Sequence, residues 1–288
     1  MPLSRAREKL IGRLRNSRMR PREELVLVEG PRTVADALDA GAGVRFALVT
    51  PTFRESSEGR QVVGRLEAVT TVDQLTEDEL EGISDTDSPQ GVLLVCEEPR
   101  VSVVDLLERP PGRFLILDGV QDPGNLGTLV RAARAFALDG VVALDGTVDP
   151  WNPKAVRASA GSSFHIGVVK ASWSRVEPLL TDIGVQLLVA EAGGTDVAEI
   201  SPPSPWALVV GSEGRGVRED VRRRSDGAVT VPMPGGAESL NAGVAGAILL
   251  HSLARANRRG EISPPDGSSG RDGKSPPRAA SAEGDGSS

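Results

Sequence analysis

A chain of 288 residues with 39% hydrophobic and 25% charged side chains has an ordinary soluble globular composition, long enough for one large or two medium domains. No apolar run reaches the roughly 18 residues of a membrane span, and the N-terminus lacks the apolar stretch that directs secretion. The net charge of −7 argues against a protein that coats nucleic acid indiscriminately.

The charge is unevenly distributed. Residues 1–22 hold eight basic side chains (Arg5, Arg7, Lys9, Arg13, Arg15, Arg18, Arg20, Arg22) against one acid, Glu8. Such a block suits an arm that contacts phosphates or a solvated helix face. Residues 25–28 (LVLV) then read as a strand and 32–40 as a helix ended by Gly41. A strand over 44–49, a short helix over 74–80 and a strand over 91–96 complete a small α/β unit spanning 23–98. Cys96 ends the last apolar run. As the single cysteine it excludes an internal disulfide, fits a reducing cytoplasm, and reads as a buried core residue. EEPR, ERPPG and the turn signal Pro110-Pro111-Gly112 set a linker over 99–112.

From 113 to 260 the alternation is regular. Strands are predicted at 113–117, 140–144, 166–169, 185–190, 206–210 and 228–231. Helices are predicted at 126–137, 152–160, 172–183, 217–224 and 239–258. This pattern predicts an α/β fold with a mostly parallel, doubly wound sheet and helices on both faces. Residues 263–288 are Ser, Pro, Gly and mixed charge, too poor in apolar surface to offset ordering entropy, so a disordered tail is expected over 261–288.

Three glycine-rich segments follow buried strands, where such sheets bind ligands. The first, 122–131 (DPGNLGTLVR), is a turn that delivers Asn125 as a helix N-cap, with open N–H groups suited to an anion. Arg131 lies six residues on, at a broadly opposed azimuth, and Arg134 shares its face. The second, Gly211-Ser212-Glu213-Gly214-Arg215-Gly216, lets a ligand approach the backbone closely. It does not fit the dinucleotide fingerprint, and the chain has neither a phosphate-loop nor a nucleophile-elbow pattern. The third, 231–250, breaks a strand with prolines and opens a Gly/Ala-rich helix at Ser239-Leu240-Asn241. From these residues alone, a capped helix with solvated arginines and a loop that is merely tight stay open as alternatives. His165 and His251 are isolated and read as structural, and no Cys/His cluster has metal spacing. Arg218, Arg222, Arg223 and Arg224 form a second basic cluster, either solvated or facing nucleic acid.

Taken together, NxGxxxR at 125–131, GxExxG at 211–216, and VPM followed by SLN at 239–241 resemble the SpoU-type (TrmH-like) RNA 2′-O-ribose methyltransferases. The resemblance covers about 113–258. Residues 23–98 are similar to the L30e-like substrate-binding domain that many members carry, with Leu27-Val28-Glu29-Gly30 close to its usual opening. The resemblance implies a SPOUT-type catalytic domain over 113–260, with a deep trefoil knot formed by the second and third segments. It implies S-adenosyl-L-methionine as cofactor, bound in a bent conformation by Gly211, Val231 and Leu240 with Met233 nearby. It further implies a cytoplasmic homodimer, with the final helix in the interface and each active site built from both subunits.

In this reading Arg131 is the catalytic arginine. A guanidinium holds its proton to about pH 12 and is a poor general base, so it is expected to act with an RNA phosphate that orients or relays the ribose 2′-hydroxyl proton. Asn125, Glu213, Ser239 and Asn241 would position Arg131 and the substrate. The sulfonium is already an activated donor, so orientation supplies much of the rate and no metal is required. A separate RNA-binding module favours ribosomal over transfer RNA. The rivals are an inactive RNA-binding, ribosome-associated protein and a nucleotide-binding oxidoreductase. One departure stands out: the family often continues Ser-Leu-Asn with Val-Ser-Val, whereas this chain has Ala242-Gly243-Val244.

Overall fold

Apolar runs bounded by turn residues form ten strands in two sheets among the residues that the computed structural model describes, 3–262 apart from Ser17 and Asp87, with side chains as far as 256. The first sheet is four-stranded, in the order β1 (Leu25–Glu29), β4 (Val92–Glu97), β2 (Val44–Val49), β3 (Val72–Gln74). β4 is antiparallel to both neighbours, and β2 and β3 are parallel. Alternate residues serve opposite faces, as the period of a strand requires. Val26 and Val28 pack toward α2 (Pro31–Asp39) and α4 (Ser57–Glu67), while Leu27 packs toward α1 (Arg5–Arg15) and α5 (Glu77–Ile83).

Two helices and a strand here have no counterpart in the pattern read above: α3 (Pro51–Glu55), α4 and β3. Hydroxyl caps start the helices. Thr50 Oγ1 accepts the Phe53 N–H at 3.3 Å, and Ser56 Oγ accepts the Gly59 N–H at 2.8 Å. The helix expected at 74–80 begins later, at Glu77, because Thr76 and Glu79 form a reciprocal capping box.

Residues 1–22 are folded onto this sheet as far as they are described. Ile11 and Leu14 of α1 are buried against Leu27, Phe46 and Leu93, a gain of about 1.5–3 kcal/mol per side chain. Four of the eight basic residues face internal carboxylates: Arg7 with Asp73, Arg13 with Glu23, Arg15 with Asp85, and Arg20 with both Glu98 and Asp149. The segment is therefore less a free arm than a helix with one exposed flank.

The second sheet is six-stranded and wholly parallel, in the order β10 (Gly227–Thr230), β8 (Gln186–Asp196), β9 (Trp206–Gly211), β5 (Arg113–Asp118), β6 (Gly140–Leu144), β7 (Gly167–Ala171). Its inner strands β5, β6 and β9 are buried on both faces, which is why they read as unbroken apolar runs. Leu115, Leu117, Leu208 and Val210 face α7 (Pro123–Ala135), α8 (Pro153–Ala158) and α11 (Ala242–Ile262). Phe114, Ile116, Ala207 and Val209 face α6 (Val103–Leu107), α9 (Trp173–Asp182) and α10 (Glu219–Arg224).

The stretch expected as a linker over 99–112 contains α6, capped by Ser102, with Val103, Leu106 and Leu107 buried under the parallel sheet. Gly140 and Gly167 leave room for it, since a Cβ on either would fall within 2.4 Å of Leu106 Cδ1. The final helix starts at Ala242 rather than 239, because Asn241 caps it: its Oδ1 accepts the Val244 N–H at 3.2 Å. It runs to Ile262, and the rest of the tail expected over 261–288 lies outside the described residues.

One apolar cluster spans both sheets, and ionic contacts reinforce the joint. Arg20, 1% exposed, donates to Asp149 and to Glu98 (2.8 Å), and through Nη1 to the Leu25 carbonyl (3.2 Å). Arg157 of α8 lies 3.7 Å from Glu29 and from Asp85. Asp36 of α2 lies 3.1 Å from His165 and 3.7 Å from Arg134. His165 thus has a structural partner, and His251 packs against Phe136 at 5.2 Å between ring centroids. Among the described residues no helix is long and apolar enough to cross a membrane.

Candidate functional site

In a parallel sheet every strand points the same way, so the loops leaving β5, β8, β9 and β10 gather at one edge. All three glycine-rich segments start there. The first enters α7, whose N-cap is Asp122: its Oδ1 accepts the Asn125 N–H at 2.7 Å, and Pro123 takes the first helical position. Asn125 is therefore not the cap expected from the sequence but a first-turn residue. With its backbone satisfied by Asp122, its side chain is free to turn inward. It is 8% exposed and donates through Nδ2 to Glu213 Oε1 at 2.8 Å.

Glu213 belongs to the second segment, a tight loop after β9. Ser212 and Gly216 exchange backbone hydrogen bonds of 3.1 and 2.8 Å across it, leaving Glu213, Gly214 and Arg215 at the tip. Gly211 must be glycine for this, since a Cβ there would fall 2.3 Å from the Gly216 carbonyl carbon. A buried carboxylate anchors the far end of the loop. Asp118, 1% exposed at the end of β5, accepts from the backbone N–H of Arg218 at 2.7 Å and from its Nε at 2.6 Å.

The third segment closes over the other two. Gly211, Glu213, Val231, Met233, Ser239 and Leu240 line a single cavity of about 180 Å³, joined by Ala190, Glu191 and Ala192 of β8 and by Ala242, Ala245 and Gly246 of α11. Its volume is below the about 300–1,000 Å³ usual for small-molecule sites; it is open to solvent, and the exposed run 236–241 borders it. Asn241 lies just outside. A Cβ on Gly243 would come within 3.2 Å of both Asn125 Oδ1 and Asn241 Oδ1, so the two amides flank this glycine.

Arg131 stands apart from this group. It lies on the exposed strip of α7, is not among the cavity residues, and has no partner among the described residues. The structure therefore brings together Asn125, Glu213, Gly211, Val231, Met233, Ser239 and Leu240, with Asn241 alongside, and leaves Arg131 on the neighbouring surface. The second basic cluster is mostly tied down: Arg218 to Asp118, Arg222 to Glu191, and Arg224 to Asp226 at 3.7 Å.

The small residues of α11 (Ala242, Gly243, Ala245, Gly246, Ala247) suit close helix packing or a bound cofactor on sequence alone, and Ala242, Ala245 and Gly246 do line the cavity. The β8 residues carry no such signal, since Ala190 only ends an apolar run and Glu191 and Ala192 follow it without a motif. The cavity walls suit the cofactor that the resemblance implies. Apolar side chains (Ala190, Val210, Val231, Met233, Leu240, Leu249) form its floor, and the charged side chains that line it, Glu191, Glu213 and Glu238, are all carboxylates. That charge favours a ligand with ammonium and sulfonium centres over an anion.

Comparisons with known proteins agree with this geometry. The profile described as the SpoU rRNA Methylase family matches residues 112–251, and an MRM3-like substrate binding domain matches 6–94. The 23S rRNA (guanosine(2553)-2′-O)-methyltransferase RlmP of Bacillus subtilis is 36% identical over 242 residues, covering 84% of this chain and 93% of that protein. Among solved structures, the SpoU methyltransferase AviRb from Streptomyces viridochromogenes superposes with a TM-score of 0.79 at 27% identity, covering 88% of this chain and 98% of that one. An AdoMet-bound rRNA methyltransferase from Sinorhizobium meliloti gives a TM-score of 0.78 at 28% identity, covering 91% and 98%.

Proposed function

Because this chain belongs to the SpoU rRNA Methylase family, we propose that the convergence of its three glycine-rich segments on one cavity is the S-adenosylmethionine site of a ribosomal RNA 2′-O-methyltransferase. The protein is an S-adenosylmethionine-dependent RNA 2′-O-methyltransferase. Gly211, Val231 and Leu240 would hold the cofactor, with Met233 beside it. When bound, the cofactor supplies a methyl group activated by its sulfonium.

The remaining work belongs to the chain. The hydrogen bond from Asn125 to Glu213 fixes the carboxylate at the cavity mouth. Ser239 and Asn241, on the run leading into α11, orient the ribose. Arg131 grips an RNA phosphate so that a phosphate oxygen faces the 2′-hydroxyl, orienting it or relaying its proton onward to solvent. The exclusion of water from the apolar floor strengthens each of these electrostatic contacts.

A homodimer fits this arrangement. Val244 and Ile248, one turn apart on α11, and Leu240 just before the helix are 38–46% exposed and form an apolar patch at the cavity's edge. Arg131, outside the cavity of its own chain, would then serve the cavity of the partner. The strand order, with the loops after β9 and β10 wrapped on one cavity, supports the trefoil knot. The free, buried thiol of Cys96 supports a reducing, cytoplasmic setting.

The test is transfer of labelled methyl groups to ribosomal and transfer RNA, followed by mapping of 2′-O-methyl riboses. A mapped ribose in ribosomal RNA is the expected outcome. Label confined to transfer RNA would overturn the substrate, and cofactor binding without transfer to any RNA would overturn the activity.

A further inference from the structure

Three helices meet at the joint between the sheets, and each brings there one charged residue held by an ion pair and one cation that is not. On α2, Asp36 is held by His165 and Arg134, and one turn earlier on the same face stands Arg32, exposed and without a partner among the described residues. On α8, Arg157 is held by Glu29 and Asp85, and three residues earlier stands Lys154, its side chain exposed and without a partner in the same sense. On α7, Arg134 is held by Asp36, and three residues earlier stands Arg131. Positions three or four apart share a helix face, so each residue that bolts the joint sits beside an unpaired cation.

The carboxylates at the joint are already matched. Glu29 also accepts from the Ser84 hydroxyl (3.0 Å) and the Asp85 N–H (3.1 Å), and Asp85 faces Arg15 at 3.8 Å as well as Arg157. The helices adjoin closely. A Cβ on Gly127 of α7 would fall 2.5 Å from Ala158 Cβ and 2.6 Å from the Ala155 oxygen of α8, and Arg131 is one turn from Gly127. A seam of uncompensated positive charge on a chain of net charge −7 is a local field that attracts a polyanion.

Resting on the reading of this protein as an RNA methyltransferase, we infer that Arg32 and Lys154 are phosphate contacts that lead the RNA backbone across the joint to Arg131. Such contacts set register and orientation without reading base edges. The ionic bolts beside them fix the spacing of the two units, so the seam offers the RNA a preformed track.

The test uses the full chain carrying Arg32→Gln and Lys154→Gln, a fluorescent synthetic RNA hairpin for affinity, and total ribosomal RNA for methyl transfer. Neither side chain has a partner to lose, so the melting temperature should hold. The salt dependence of hairpin affinity should become shallower by roughly two in log–log slope, one per contact. The KM for RNA should rise on the order of tenfold, with kcat and cofactor affinity unchanged. Arg32→Lys should restore most of its share, because the charge returns. Arg175→Gln on α9, across the sheet, should keep the wild-type slope. A double variant with wild-type slope and KM overturns the track while leaving the enzyme reading intact. A wild-type protein that methylates no RNA overturns that reading instead, and the track with it.

Discussion

The two sheets use their edges differently. In the four-stranded sheet β1, β2 and β3 run one way and β4 runs against them, so the loops after β2 and β3 meet the loop entering β4 around a cavity of about 350 Å³. In the six-stranded sheet all strands run one way, and the loops after β5, β8, β9 and β10 reach one cavity. What sets the parallel unit apart is that its loops carry the three glycine-rich segments and line their cavity with carboxylates over apolar walls. The mixed unit offers a charged outer flank and residues that hold the joint. Chemistry follows here from what the loops carry more than from strand direction.

The sharpest way to break this division is Arg131→Ala, which should lower methyl transfer on the order of 10³-fold while cofactor affinity stays within about twofold. Single-turnover rates and calorimetry read the two separately, and a collapse of cofactor binding would move Arg131 into the cavity's own machinery. Next comes the joint. Arg20→Ala leaves Glu98 and Asp149 with only the half-exposed Lys170, 3.8 and 3.4 Å away, and should cost about 2–3 kcal/mol of unfolding free energy. Two separate denaturation transitions would show that the units no longer unfold together.

A smaller effect is expected from Asp118→Asn. It weakens the anchor of the 211–216 loop and, because the Arg218 side chain is 41% exposed, should cost only about 1–2 kcal/mol in a urea titration. A several-fold rise in the cofactor dissociation constant should accompany it, and unchanged cofactor binding would separate the anchor from the site. The smallest effect concerns Cys96, whose thiol is pushed up to about 12 by burial and then by the Glu97 carboxylate. Its folded value lies above the ordinary 9.0, so the stability it contributes is complete below pH 9 and is lost as pH rises toward 12. Iodoacetamide should label it at pH 8 only after denaturation, and rapid labelling of the native protein would contradict its place in the core.

Strand direction explains what could be read from the sequence. Runs such as 113–117 and 206–210 announced themselves because parallel strands are apolar on both faces. In the mixed unit, α3 is a single five-residue turn, too short to show a period, and α4 buries its stripe through only Gly59, Val62, Val63 and Leu66 among charged neighbours. In the site, glycines and the SLN run marked the loops, and these do meet. The partnerships were not legible: Asn125 with Glu213 and Asp118 with Arg218 join residues 88 and 100 positions apart. Nor did α6 stand out, since a five-residue helix within a proline-rich stretch gives too short a period to register.

Arg20 also has a consequence in time. Its partner Asp149 lies 129 residues further along the chain. At a synthesis rate of about 5–20 residues per second, roughly 6–26 s separate the appearance of the two. During that interval the N-terminal strap has its sheet and Glu98 but not its final clasp. Nascent chains halted before Asp149 should be cut by protease around residues 16–23, and longer ones should resist. Equal resistance at both lengths would mean that the strap seats without its last partner.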